Sequence, residues 1–177
     1  DVGSCEGEDS IRYSRMFPRA RIFAFEPLPE NQELAAANLA SHGAANVELL
    51  PYALSNQAGV SVFHVSGGRP DVLFRGERWN YGNKSSSLLP PALDAPMFGW
   101  VEFGRTIEVR CETLAGFCRA KGIQRIDFVH MDVQGAESLV LEGAGPMLRR
   151  VVAIWLEVSD RELYSGQEMR SKMEHRM

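Results

Sequence analysis

Apolar and polar positions follow two rhythms along this chain. Residues 21–25, Arg-Ile-Phe-Ala-Phe, form a short β-rich run bounded by Pro18 and Pro27, which predicts a strand. Pro29 suits the first turn of a helix, where its missing N–H costs nothing, and Glu30 and Glu33 favour the positive end of that helix. Leu34, Ala37 and the Ala/Leu positions up to Ala40 supply its apolar face, and Gly43 closes it. Val47–Leu50 is the next predicted strand. The rhythm then changes: Val60–Val65 and Thr106–Cys111 alternate, with Ile107, Val109 and Cys111 on one side and charged residues on the other. That period predicts an antiparallel pair wet on one face. Thr113 to Lys121 reads as a helix with Leu114, Phe117 and Cys118 on one face and Gly122 at its end. A strand over Ile126–Asp132, a helix over Ala136–Glu142 and a strand over Val151–Val158 follow. These last two strands are almost continuously apolar, as in a parallel sheet covered on both faces. Between the alternating strands lie residues 66–105, rich in Gly, Pro and Ser, with Trp79, Tyr81, Phe98 and Trp100 scattered through. So long a segment predicts a binding loop or lid, the alternative being an insertion without regular structure.

Strands alternating with helices argue for an α/β fold, a doubly wound, mostly parallel sheet with an inserted antiparallel strand pair. At 177 residues the chain reads as a single domain, 1–177. Hydrophobic residues at 45% and charged residues at 24% exclude disordered, collagenous and coiled-coil classes. A net charge of −4 offers no basic field for a nucleic-acid backbone. The longest apolar run, Val151–Leu156, is far below the ~20 residues needed to span a bilayer. Cys5, Cys111 and Cys118 lack metal-type spacing, and an odd number argues against a disulfide framework. With no signal-peptide pattern at its start, the expectation is a reducing, cytoplasmic setting.

In open α/β sheets ligands bind outside the carboxyl ends of the strands. Acidic residues stand at four predicted strand ends: Asp1, Glu26, Asp132 and Glu157. Asp1 opens a turn, Asp1-Val2-Gly3-Ser4-Cys5-Glu6-Gly7, in which Gly3 and Gly7 let backbone approach a ligand closely, ahead of a helix beginning near Glu8. Glu26 ends the next strand, where a carboxylate can accept hydrogen bonds from both hydroxyls of a ribose. An isolated Gly-x3-Gly is a common loop feature, and a Glu before Pro is commonly a solvated turn residue. Their spacing together points to a nucleoside site. Cys5 interrupts the Gly-x-Gly-x-x-Gly that a dinucleotide fold needs, and Asp1 and Glu6 would repel a pyrophosphate. A cationic, phosphate-free nucleoside such as S-adenosylmethionine suits this loop better.

Asp1-x-Gly3-x3-Gly7, Phe25-Glu26-Pro27, Asn38-Leu39, Ala53-Leu54-Ser55, Ser85-Ser86-Ser87-Leu88 and Asp127-Phe128-x3-Asp132-Val133-Gln134-Gly135-Ala136-Glu137 occur in that order. Together they resemble the FkbM-type family of S-adenosylmethionine-dependent methyltransferases. The resemblance runs from Asp1 to about Val158. It implies a class I methyltransferase (Rossmann-like) sheet, S-adenosylmethionine as cofactor, and methyl transfer to a hydroxyl on a small sugar or natural-product acceptor. His130 and Gln134 depart from the Lys and Glu usual at these places. Set against that fold, the expectation is of a fragment that lacks the strand ending at Asp1 and most of the edge region after Val158. Residues 1–177 alone are therefore expected to expose sheet edges, dissolve poorly and bind cofactor weakly.

The expected cofactor contacts are Asp1, Gly3, Gly7, Glu26 and Asp132. Transfer to a hydroxyl needs a base near the fourth strand end. Asp132 is the first candidate and His130 the second, since equal parity puts both side chains on one side of the strand. Asp132 could instead bind the methionine ammonium or cap the following helix, and His130 could be a hydrogen-bonded core residue. Ser86, Ser87, Glu137 and Glu157 are the acceptor-side candidates, each with a structural alternative. Trp79, Tyr81 and Trp100 could stack on a cyclic acceptor. Asp132 and Glu157 could pair on a divalent ion, but nothing supplies further ligands, and no metal is expected. Two rivals remain at this point. A nicotinamide-dependent oxidoreductase needs a further glycine and a Tyr-x3-Lys that the chain lacks, and a cofactor-binding module without catalysis keeps the same sites.

Overall fold

The computed structural model describes residues 1–69, 82–93 and 99–176. In chain order its elements are α1 (Glu8–Met16), β1 (Ile22–Phe25), α2 (Pro29–Ser41), β2 (Val47–Leu50), β3 (Ala53–Leu54), β4 (Gly59–Gly67), β5 (Glu102–Glu112), α3 (Leu114–Lys121), β6 (Val129–Met131), α4 (Glu137–Ala144), β7 (Ile154–Leu156) and α5 (Arg170–Arg176). The helix starts follow from local chemistry. Pro29 opens α2, and the Thr113 hydroxyl caps α3 by accepting from the Gly116 amide at 3.0 Å. Gly122 ends α3 at φ +67°, a left-handed turn that an L side chain resists.

β1 pairs in parallel with β2, and β6 in parallel with β7. Val2 joins the two pairs by bridging both Phe25 and Met131. The ladder is continuous on both sides of it. The Val2 amide donates to the His130 carbonyl at 2.9 Å, the Asp132 amide to Val2 at 3.0 Å, and the Gly3 amide to Phe25 at 3.0 Å. The parallel order is therefore β2, β1, residues around Val2, β6, β7, and the direction of winding reverses at Val2. An apolar groove of about 870 Å³ runs between β1 and β6 on the side of Val2 away from these carboxyl ends, walled by Phe23, Phe117, Ile126 and Val129.

The antiparallel pair is β4 with β5, from Gly59 opposite Cys111 to Gly67 opposite Glu102, with a bulge at Val65/Ser66 that adds twist. β3 lies on the other side of β5, parallel to it. The irregular segment expected over 66–105 is consequently shorter, because the strands run to Gly67 and resume at Glu102. Trp79, Tyr81 and Phe98 lie outside the described residues, and so do the stacking roles expected of the first two. The Val151–Val158 strand contracts to Ile154–Leu156, and Val151 makes only an isolated bridge to Ile126.

The main core gathers Phe25, Leu54, Phe117, Met131 and Val140 between the parallel strands, α3 and α4. A second cluster, Leu28, Phe63, Val65, Val109 and Cys111, seats the antiparallel pair against the start of α2. Close approach fixes α4 at one point: a Cβ on Gly143 would lie 2.0 Å from the Ser55 carbonyl oxygen. Among the described residues no helix is long and apolar enough to cross a membrane.

Candidate active site

The carboxyl ends of β1 and β6 and the turn after Val2 converge on one crevice. Its walls include Gly3, Cys5, Glu26, Asn31, Asp132 and Gln134, and Asn83, Lys84 and Ser86 form its roof. Gly3 admits the approach, since at φ +83° a Cβ there would sit 1.9 Å from the Asp132 carbonyl oxygen. Cys5 and Gln134 are the non-glycine residues with left-handed backbone among those described, and both line the crevice. Such strain concentrates at functional sites.

Glu26 is 4% exposed. One oxygen accepts from the Cys5 amide and the other from the Leu28 amide, each at 2.8 Å. Burial pushes its carboxyl up to about 7, against the lowering effect of those two amides. The Asn31 side chain also hydrogen-bonds this carboxyl, and with about four acceptor positions the carboxylate keeps capacity for a crevice-side donor. The Asn83 Oδ1, buried in the roof, has no hydrogen-bond partner among the described residues and is a second acceptor without a donor. Burial chiefly pushes the Cys5 thiol up to about 12, which keeps it protonated.

The raised Glu26 carboxyl has a measurable consequence. A group that binds its proton more tightly folded than unfolded contributes stability that is complete below the unfolded value of 4.5 and is lost as pH rises through about 7. Glu26→Gln removes that dependence. Urea unfolding from pH 4.5 to 8 should show the variant gaining on the unaltered protein with rising pH, by about 3 kcal/mol at most. A difference independent of pH would contradict the burial.

Asp132 lines the crevice beside Gln134, whose Nε2 donates to Asp132 Oδ1 at 2.6 Å and to Glu157 Oε2 at 3.4 Å. Glu157 stands beside Gln134 and Asp132, its carboxyl pushed up to about 7 by desolvation and then by the neighbouring Asp132 charge. Of the sequence-derived residues, Gly3, Glu26, Asp132 and Ser86 meet in one crevice, and Glu157 touches its Gln134 wall.

Five others stand elsewhere. The Asp1 side chain is 1% exposed and accepts from the Ser10 hydroxyl at 2.6 Å, so it anchors α1 instead of facing a cofactor. His130 corrects to a core residue. Its Nδ1 lies 3.1 Å from Asp1 Oδ1, and its ring stacks on Trp155 at 4.5 Å. A carboxylate only accepts, so Nδ1 carries the proton. Burial lowers its pKa, and it lines the groove and not the crevice. Gly7 caps α1 at φ +84°, and a Cβ there would meet Ala35 at 3.6 Å, away from the crevice. Ser87 is 1% exposed and donates to the Gln134 carbonyl at 2.8 Å. Glu137, 4% exposed, accepts from the Val133 and Gly135 amides at 3.0 and 3.3 Å and so shapes the Asp132 loop from beneath. Neither Ser87 nor Glu137 is in the crevice lining.

Asn31, Asn83, Lys84 and Gln134 are crevice residues that sequence reasoning missed as site residues. Asn31 carried a signal, since it sits in the first turn of a helix that starts right after the Glu26 strand end. The roof is the short turn Gly82–Lys84. Asn83 donates to Glu6 Oε1 at 2.8 Å and to Asn31 Oδ1 at 2.9 Å, and Lys84 pairs with Glu8. With the roof down the crevice holds about 50 Å³, below the roughly 300 Å³ at which ligand pockets begin. That space is too small for a nucleoside.

A buried strand-end carboxylate at the point where the winding reverses suits nucleoside chemistry, and comparison with known proteins narrows it. The Methyltransferase FkbM domain matches residues 1–177. The chain belongs to the FkbM methyltransferase family. This FkbM domain is 34% identical over 167 residues to the 2-O-methyltransferase NoeI of Sinorhizobium fredii (strain NBRC 101917 / NGR234), covering 94% of the chain and 65% of that protein. It is 28% identical over 155 residues to Methyltransferase sdnD of Sordaria araneosa, covering 81% of the chain and 58% of that protein. It is also 29% identical over 187 residues to the AMB antimetabolite synthetase AmbE of Pseudomonas aeruginosa, covering 91% of the chain and 8% of that protein. The FkbM domain thus spans less than two thirds of the length of these curated relatives. No solved structure matches it significantly.

Proposed function

We propose that this FkbM domain transfers a methyl group from S-adenosylmethionine to a hydroxyl of a small sugar or natural-product acceptor. The observation that carries the reading is the buried Glu26 carboxylate, which lines the same crevice as Asp132. The word 2-O-methyltransferase in the name of NoeI supports oxygen as the receiving atom. In this reading Glu26 holds the ribose hydroxyls, Gly3 lets the Asp132 backbone pack close beside the crevice, and Asn83 supplies the roof acceptor. When bound, S-adenosylmethionine supplies a methyl group activated on a sulfonium.

The chain's own part is alignment and proton removal. Holding the acceptor hydroxyl in line contributes up to ~7–11 kcal/mol in well-oriented systems. Asp132 accepts the hydroxyl proton as the oxygen becomes a nucleophile, and Glu157 beside it faces the acceptor side. We also read the apolar groove between β1 and β6 as the seat of one more parallel strand, completing a single Rossmann-like domain. The test is label transfer in the full-length protein: radiolabelled S-adenosylmethionine with a panel of methyl glycosides should give a labelled, base-stable ether. Label left on the donor across the panel, with S-adenosylhomocysteine still bound, would favour a binding module instead.

A further inference from the structure

Asp132 is held by a chain of contacts that begins far from it in sequence. Tyr164 is 1% exposed, and its hydroxyl, with a single proton, shares a bifurcated donation between the Ser85 carbonyl at 2.7 Å and Gln134 Oε1 at 3.0 Å. The orientation of the Gln134 amide follows from its partners. Carboxylates only accept, so the end facing Asp132 and Glu157 is the NH2, and the end facing the phenol is the oxygen. Tyr164 is itself fixed from behind: Gln167 Oε1 accepts from the Leu163 amide at 3.0 Å and from the Tyr164 amide at 3.3 Å, and the ring stands edge-on to Phe103 at 6.2 Å. Gly135 allows this packing, because a Cβ there would lie 3.0 Å from the Tyr164 ring.

We propose that Tyr164 and Gln134 form a positioning relay for Asp132, in which the buried phenol orients the Gln134 amide and the amide stops the Asp132 carboxylate from turning away from the acceptor. The proposal rests on the reading of Asp132 as the base for methyl transfer. Gln134 adopts φ +55°, a backbone that holds its side chain over the carboxylate and that few residues tolerate. The relay also ties the segment after Ser85 to the Asp132 loop, so the roof side and the base are set by one hydroxyl.

The test uses the full-length protein with methyl glycosides as acceptors, and it reads kcat, acceptor KM, S-adenosylhomocysteine Kd and Tm. Tyr164→Phe keeps the buried ring and removes one hydroxyl. Gln134→Asn keeps a residue type that tolerates left-handed backbone and shortens the arm beyond reach of Asp132. Each should lower kcat roughly ten- to hundredfold, with KM and Kd within about twofold. Because the two act through one chain, the double variant should fall no further than the worse single variant. A Tyr164→Phe kcat within about twofold of the unaltered protein would overturn the relay, since loss of positioning has to show in turnover. Losses that multiply in the double variant, or that track equal losses in Kd and Tm, would overturn it too. If the unaltered protein transfers no methyl group, the underlying reading fails in that first measurement and the relay falls with it.

Discussion

Replacing Glu26 with alanine should weaken S-adenosylhomocysteine binding at least about a hundredfold, since hydrogen bonds to a charged group each contribute roughly 1.5–3 kcal/mol. In the unliganded protein the same carboxylate accepts the amides of Cys5 and Leu28, so its loss also leaves two buried donors without a partner. Part of the affinity loss will therefore come from a loosened turn at Cys5. Glu26→Gln separates the two effects, because one amide oxygen still accepts while the charge is gone. It should bind about tenfold more weakly than the unaltered protein and melt closer to it than the alanine variant does. Calorimetric titration of the full-length protein with both variants reads this directly. Affinity unchanged in Glu26→Ala would move the nucleoside elsewhere.

Asp132→Asn should lower kcat by roughly 10²–10³-fold while S-adenosylhomocysteine Kd stays within about threefold. Asparagine has the same shape, and its Oδ1 still accepts from Gln134 Nε2, so the local network survives. What disappears is the capacity to take a proton from the acceptor hydroxyl. Turnover within about threefold of the unaltered protein would assign the proton to another group, with Glu157 beside Gln134 next in line. If binding fell together with turnover, Asp132 would be a nucleoside ligand and not a base.

Much of the sheet was legible because its signals are local. The Phe25-Glu26-Pro27 stop, the Pro29 helix start and the alternation in β4 and β5 each lie within a few residues of what they determine. β3 escaped for a physical reason: at two residues, Ala53 and Leu54, it has no period to read and exists only through its pairing with β5. The C-terminal α5 was likewise beyond the pattern, although Met173 packs into the main core.

The site divides along the same line. Gly3, Glu26 and Asp132 could be found because a strand end plus an acid or a glycine is a local sign of the crevice. Asp1, His130, Ser87 and Glu137 carry the same residue chemistry, but their partners come from elsewhere in the fold. Ser10 and His130 claim Asp1, and the Gln134 carbonyl claims Ser87. Composition cannot tell a carboxylate facing a crevice from one satisfied beneath it. Tyr164 could not be found at all, since nothing near it in sequence announces that its hydroxyl lies against Ser85 and Gln134.

The central claim is that the crevice between Glu26 and Asp132 holds the methyl donor. A crystal structure of the full-length protein with S-adenosylhomocysteine tests it most directly. The account predicts the roof at Gly82–Lys84 displaced from its present position, the ribose hydroxyls on Glu26 and the sulfur on the side of Asp132. A nucleoside seated outside this crevice, with Glu26 still bonded only to Cys5, Leu28 and Asn31, would contradict it.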